Sequence, residues 1–172
     1  MMSAIAPAAV GASLPTHPLI VHLPIVVVPL AALGAVLLAV LPSWRTRFAP
    51  VVAVLASAGV LGVLLAAHSG EELESRVDRT ALVVRHAELG REARLLSVVF
   101  LFAVLAFVLY ERSSADPGPT ASSSAKAAAK PIATVLAVIM VLVGAVASAS
   151  VLRAGHKGAE AVWHELGPSA GN

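Results

Sequence analysis

The fold predicted from this sequence is an all-α, four-helix transmembrane bundle. Three observations predict it. The chain of 172 residues is 58% hydrophobic and only 13% charged, with a mean hydropathy of +0.88, too apolar for a water-soluble domain of this size. Its apolar residues fall into four runs, about Leu19–Leu41, Ala49–Ala67, Ala93–Tyr110 and Ile132–Leu152, each near the roughly 20 residues a helix needs to cross a ~30 Å hydrocarbon core. No two-residue alternation runs through them, which argues against a transmembrane barrel.

Residues 1–16 are rich in Ala and Pro and read as a loose N-terminal segment. They carry no Lys or Arg, so the basic start of a cleavable signal peptide is missing and the first helix is expected to stay in the mature protein. Residues 17–112 hold the first three spans. The first opens at Thr16-His17-Pro18, with Pro18 in the first turn, where its missing N–H costs nothing. Pro24 and Pro29 free the carbonyls of Ile20 and Ile25, which predicts a kinked helix whose neighbours cover the disturbed backbone.

The connection "PSWRTRF", residues 42–48, reads as a tight antiparallel turn pinned at the headgroups by Trp44, Phe48, Arg45 and Arg47. In the second span Ala58, Gly62 and Ala66 are four apart, and in the fourth Gly144/Ser148 and Ala145/Ala149 repeat that spacing, the pattern of close helix approach in lipid. Residues 69–92 are too charged for lipid but helical in character. Leu82, His86, Leu89, Ala93, Leu96 and Phe100 form a stripe continuous with the third span, so that helix should project beyond the membrane. Residues 113–130, rich in Ser, Ala and Pro, read as a disordered linker. Residues 131–172 supply the fourth span, begun by Pro131, and a short tail.

The chain has no cysteine, which excludes covalently attached c-type haem, cysteine-held iron–sulfur clusters, thiolate zinc sites and disulfides. A formal charge of +2, without a basic stripe, gives no reason to expect nucleic acid. No HExxH, P-loop or GxSxG is present, so no hydrolase or nucleotide-binding motif supports an enzyme.

The informative residues are the six histidines. "HPLIVHLPI" places His17 and His22 at the mouth of the first span, His68 ends the second, His86 precedes the third, and His156 and His164 follow the fourth. In an up-and-down bundle all six share one membrane face, and each helix contributes one at similar depth. Imidazoles on facing helices are how bundles build haem, copper or zinc sites. Glutamates crowd the same face and are candidate acceptors for the imidazoles. His156, Glu160 and His164 are four apart. The three methionines, at 1, 2 and 140, lie away from this face, which disfavours His/Met ligation.

"HPLIVHLPIVVVPL", "HSGEE", "RHAELGREA" and "GHKGAEAVW", in this order on four spans, resemble the bacterial integral-membrane family catalogued as domain of unknown function 2231. The resemblance covers His17 to about Gly167 and matches His17, Pro18, His22 and Pro24 to the opening motif and His86 to a histidine before the third span. It implies a four-helix protein of the bacterial inner membrane in a redox setting, because some members carry or neighbour cytochrome c or Rieske-type domains. This chain has no such domain, so the resemblance implies a separate cytochrome or iron–sulfur protein as electron partner beside the lipid bilayer. Alanine replaces a common family glycine at Ala159.

Three readings of function remain open at this level. The first is a pocket binding haem b through two imidazoles, with His22 and His86 the leading pair and His68 and His156 the other. The second is a non-catalytic membrane scaffold or subunit. The third is a transition-metal or proton site, copper or zinc, with His17, His164 and Glu160 as further ligands. The first helix has two arginines within a few residues after it and none before, so the N-terminus, the C-terminus and the histidine face are expected outside.

Overall fold

A computed structural model describes residues 16–115 and 123–166. The N-terminal segment expected to be loose therefore lies outside the described residues except for Thr16. Five α-helices form the structure: α1 (Thr16–Ile20), α2 (His22–Val40), α3 (Arg45–Glu74), α4 (Ala81–Ala115) and α5 (Ser123–Leu166). Four stretches are long and apolar enough to cross a membrane, His17–Val40, Pro42–Glu74, Ala81–Ser114 and Pro131–Ala161, and there is no strand among the described residues. The protein is an all-α, multi-pass membrane protein.

Proline chemistry shapes the first span. The helix breaks at Val21, between α1 and α2, where Pro24 cannot donate to the Ile20 carbonyl. The backbone stays bonded across the break, Val21 N–H to His17 O at 3.1 Å and Ile25 N–H to Val21 O at 3.4 Å. Pro29, by contrast, is accommodated inside α2.

The four spans pack as a closed square in which α2 neighbours α3 and α5, and α4 neighbours the same two; α1 sits on α3 and α2. Only about a third of each span is buried, 28% in the first and 33% in each of the others. The rest, including Leu33, Val54, Leu61, Phe102, Leu109 and Leu142, is a lipid-facing apolar surface that water would not tolerate. The core is a column of Val28, Ala31, Ala35 and Leu38 on α2 meeting Phe100, Val104 and Phe107 on α4 and Met140 and Ala147 on α5. Glycines set the closest approaches. A Cβ on Gly59 would stand 2.8 Å from the Val28 side chain, and one on Gly155 would stand 2.6 Å from Ile25. The expected small-residue rows are used only in part: Gly62 and Gly144 are buried, but Ala145 is exposed, because the α3 contact runs through Gly59 and Gly62 and the α5 contact through Gly144 and Ala147.

The 42–48 connection is a short 3₁₀ turn, Pro42–Trp44, leading straight into α3, with the Trp44 and Phe48 rings 5.1 Å apart. Arg45 locks this end of the bundle. Its Nε–H donates to Leu38 O at 2.9 Å and an Nη–H to Ala39 O at 3.4 Å, which satisfies carbonyls at the end of α2. It pairs with Glu111 at 3.2 Å and lies over the Phe107 ring at 5.5 Å. Arg45→Ala strands a partly buried carboxylate and two carbonyls, and is expected to cost about 2 kcal/mol. Unfolding in detergent checks this, and Glu111→Ala added to Arg45→Ala should cost less than the sum of the two single changes.

At the other end α3 and α4 run past the apolar spans and leave only residues 75–80 between them. Thr80 starts α4, its hydroxyl accepting from Val83 N–H at 3.3 Å. The segment 69–92 is thus two helix ends and a six-residue turn. Residues 123–130, expected within a disordered linker, begin α5, consistent with the strong helix propensity of "AKAAAK".

Candidate functional site

The bundle end that gathers the starts of α1 and α4 and the ends of α3 and α5 carries the histidines. Two of them face each other. His17 comes from α1 and His86 from α4, and their ring centroids are 6.0 Å apart at an interplanar angle of 76°. Both are half-buried.

Each ring is held by its Nδ1. His86 Nδ1 lies 2.9 Å from the Ala154 carbonyl of α5; a carbonyl only accepts, so Nδ1 carries a proton, and in the neutral ring the lone pair is then on Nε2. His17 Nδ1 lies 3.0 Å from Ser69 Oγ, and that hydroxyl donates to Ala66 O at 3.1 Å within α3. Ser69 Oγ therefore accepts from His17 Nδ1–H, which again leaves Nε2 with its lone pair. Ser69 is buried beneath the ring.

Each ring also rests on a glycine of the helix that binds it. A Cβ on Gly70 would stand 3.0 Å from His17 Cε1, and one on Gly158 would stand 2.9 Å from His86 Cε1. These contacts give physical content to two sequence features, the Ser-Gly of "HSGEE" and the glycine pair of "GHKGAEAVW". Sequence reading passed over Ser69, Gly70 and Gly158 as site residues; the available signal was a serine and a glycine directly after His68, and a glycine four residues beyond Ala154.

The other histidines stand apart. His22 is exposed and donates from Nδ1 to Pro18 O at 2.6 Å, covering backbone at the α1–α2 break. His68 is exposed and has no hydrogen bond or ring contact among the described residues. His156 is exposed and lies 3.3 Å from Glu160, which also holds Lys157 at 2.5 Å. The backbone of His164 is within α5, and its side chain lies outside the described residues. The structure therefore pairs His86 with His17 and not with His22, and does not bring His68 to His156.

Four of the glutamates expected around the imidazoles are engaged with arginines, Glu71 with Arg94 at 3.6 Å, Glu72 with Arg76 at 2.6 Å, Glu74 with Arg79 at 2.8 Å and Glu88 with Arg85 at 3.0 Å, while Glu160, among the described residues, meets only Lys157 and the exposed His156. The acceptors behind the paired imidazoles are a serine hydroxyl and a backbone carbonyl. Among the described residues no three His, Asp or Glu side chains converge on a point that a metal ion could occupy.

Comparison with curated proteins and with solved structures gives no match. Four membrane-length helices, the His-Pro opening, and the two later motifs that meet it in space all agree with a single finding: residues 13–167 match the family described as "Predicted membrane protein (DUF2231)", and the chain belongs to it.

Proposed function

We propose that this membrane protein holds haem b between His17 and His86 and takes part in electron transfer at the membrane face that carries them. The observation behind this reading is the facing pair of imidazoles with both Nδ1 positions bound to protein acceptors. Fixing Nδ1–H orients an imidazole and directs Nε2 outward as a ligand, as in metal-bound histidines generally.

The donor set favours haem over a bare ion. Structural zinc takes four protein ligands and catalytic zinc three, and copper sites are of similar size, whereas a porphyrin supplies four nitrogens and asks the protein for two. His17 and His86, with ring centroids 6.0 Å apart, are the two residues that would hold such a group. A bound haem would supply one-electron exchange with a separate cytochrome or iron–sulfur protein. In this proposal Ser69 and the Ala154 carbonyl hold the ligand tautomers, and Gly70 and Gly158 leave the rings room to align.

The reading is tested by the visible spectrum of detergent-purified protein from haem-supplemented cells. Reduction is expected to give the sharp bands of a six-coordinate, bis-imidazole cytochrome. Protein that remains colourless after haem supplementation would refute haem binding, and stoichiometric zinc or copper in the same sample would favour the bare-metal reading.

One observation favours a second reading. Both Nδ1 bonds cross between helices, from α1 to α3 and from α4 to α5, so the same histidines serve a non-catalytic scaffold by pinning adjacent helices.

We place the protein in the bacterial inner membrane with the histidine face and both termini outside, because Arg45 and Arg47 follow the first span closely. Single cysteines test this, since the chain has no native thiol. In intact cells an impermeant maleimide should label Ser75→Cys and spare Ser43→Cys, both exposed positions at opposite ends of α3; the reverse pattern would invert the orientation.

A further inference from the structure

The end of the bundle away from the histidines carries a cleft of about 190 Å³ between the start of α3 and the end of α4. That is several times the roughly 30 Å³ share of one water in the liquid. Its floor is apolar, made by Ala49 and Pro50 on α3 and Val108 on α4, and its rim is polar, made by Arg45, Thr46 and Arg112, with Glu111 alongside. Trp44 and Phe48, packed together at the same end of the bundle, mark the depth of the lipid headgroups.

Charge at this rim is unbalanced. Glu111 is the partner of Arg45, and Arg112 is exposed with no ion pair among the described residues. Arg47, also exposed, lies over the Phe48 ring at 5.4 Å. The cleft itself thus sets two arginines against one carboxylate among the described residues. Thr46 of the cleft also has a carbonyl that the helix leaves without its usual donor. Pro50 sits inside α3 and has no N–H, so the Thr46 carbonyl lacks its helical partner. At headgroup depth such a group is satisfied by water or by a hydroxyl of whatever occupies the cleft.

We infer that this cleft is a binding site for an anionic phospholipid with a hydroxyl-bearing headgroup, the phosphate at Arg112 beside Arg45, a headgroup hydroxyl on the Thr46 carbonyl, and an acyl chain along Ala49 and Val108. A charged rim, a carbonyl without its helical donor and an apolar floor leading into the membrane match the three parts of such a lipid in order. A zwitterionic lipid lacks the net charge that Arg112 calls for.

The chain has two tryptophans, Trp44 and Trp163, so Trp163→Phe leaves Trp44, which directly precedes Arg45 of the cleft, as the sole tryptophan. The full-length variant is reconstituted in phosphatidylcholine vesicles in which a minor, equal share of the lipid is either brominated phosphatidylglycerol or brominated phosphatidylcholine. Quenching of Trp44 should show phosphatidylglycerol enriched about fivefold over its bulk share, the preference that one arginine confers near an anionic membrane surface. Arg112→Gln should reduce the enrichment to that of phosphatidylcholine, with helicity unchanged by circular dichroism, whereas Arg47→Gln at the same depth but outside the cleft should retain most of it. Equal quenching by the two brominated lipids would overturn the proposal. So would a preference that survives Arg112→Gln, or one that Arg47→Gln removes equally.

Discussion

His17→Ala and His86→Ala are each expected to abolish the visible haem spectrum, while His22→Ala and His68→Ala leave it intact. The contrast follows from geometry. His17 and His86 face each other at 6.0 Å, whereas His22 is turned to the Pro18 carbonyl and His68 is exposed on the bundle surface. Removing either inner imidazole leaves one protein ligand, and a six-coordinate low-spin centre cannot form from one. Truncation at His86 also loses the bond to Ala154 O, worth about 1 kcal/mol, so a stability control is required. His86→Asn supplies it: the side-chain amide stands close to where Nδ1–H stood and can still donate to that carbonyl, but nothing remains at the position of Nε2. Colourless His86→Asn protein with near-normal stability would identify ligation as the role. A wild-type protein that is colourless, and as stable as its His86→Asn variant, would identify the helix-pinning role instead. Pigment lost from His22→Ala and kept in His17→Ala would assign the site to the wrong helix turn and refute the pairing.

Gly144→Leu is expected to destabilise the bundle by about 3 kcal/mol, at the upper end of what overpacking costs. A Cβ at Gly144 already falls 2.8 Å from Phe100 Cε2 and 3.2 Å from Ala32 Cβ, so three helices meet at this atom. Phe100 is 1% exposed and its ring has no free volume to retreat into; the added side chain must part α5 from α4 and α2. In lipid those helices are held by van der Waals contact and not by exclusion from water, so the gap is not compensated. Gly90→Ala is the control. Its Cβ meets nothing within 4 Å, and helix propensity alone should stabilise α4 by up to about 1 kcal/mol. Unfolding of the reconstituted protein in a denaturing detergent titration measures both, and equal effects of the two changes would show that packing at Gly144 is not limiting.

The two glycines illustrate how unequally the sequence discloses its structure. Gly90 and Gly144 are both helical glycines in this chain, yet one borders open space and the other a three-helix contact. Local sequence places Gly90 in a charged segment and Gly144 in a small-residue row of a span, but it does not name Phe100 and Ala32 as the neighbours of Gly144. Arg45 behaves similarly: its place in "PSWRTRF" announces a headgroup anchor, but its bonds to Leu38 O, Ala39 O and Glu111 depend on how α4 returns beside α2.

Span number, span length, the helix break near Pro24 and the gathering of histidines at one end are determined by the sequence alone. The hydrocarbon core imposes a one-dimensional length requirement, proline removes a particular backbone donor, and alternating direction sorts helix ends to two faces. The choice of His17 over His22 was decided only in the tertiary structure. On a continuous helix these residues, five apart, point about 140° from one another, and which faces inward depends on the rotation of the helix about its axis. In water an apolar face reveals that rotation. These spans are apolar all round, because lipid accepts the outward face as readily as the core accepts the inward one. Rotation is set instead by which small residues let backbones approach, Gly59 on Val28, Gly155 on Ile25 and Gly158 on His86, and those contacts join residues far apart in the chain.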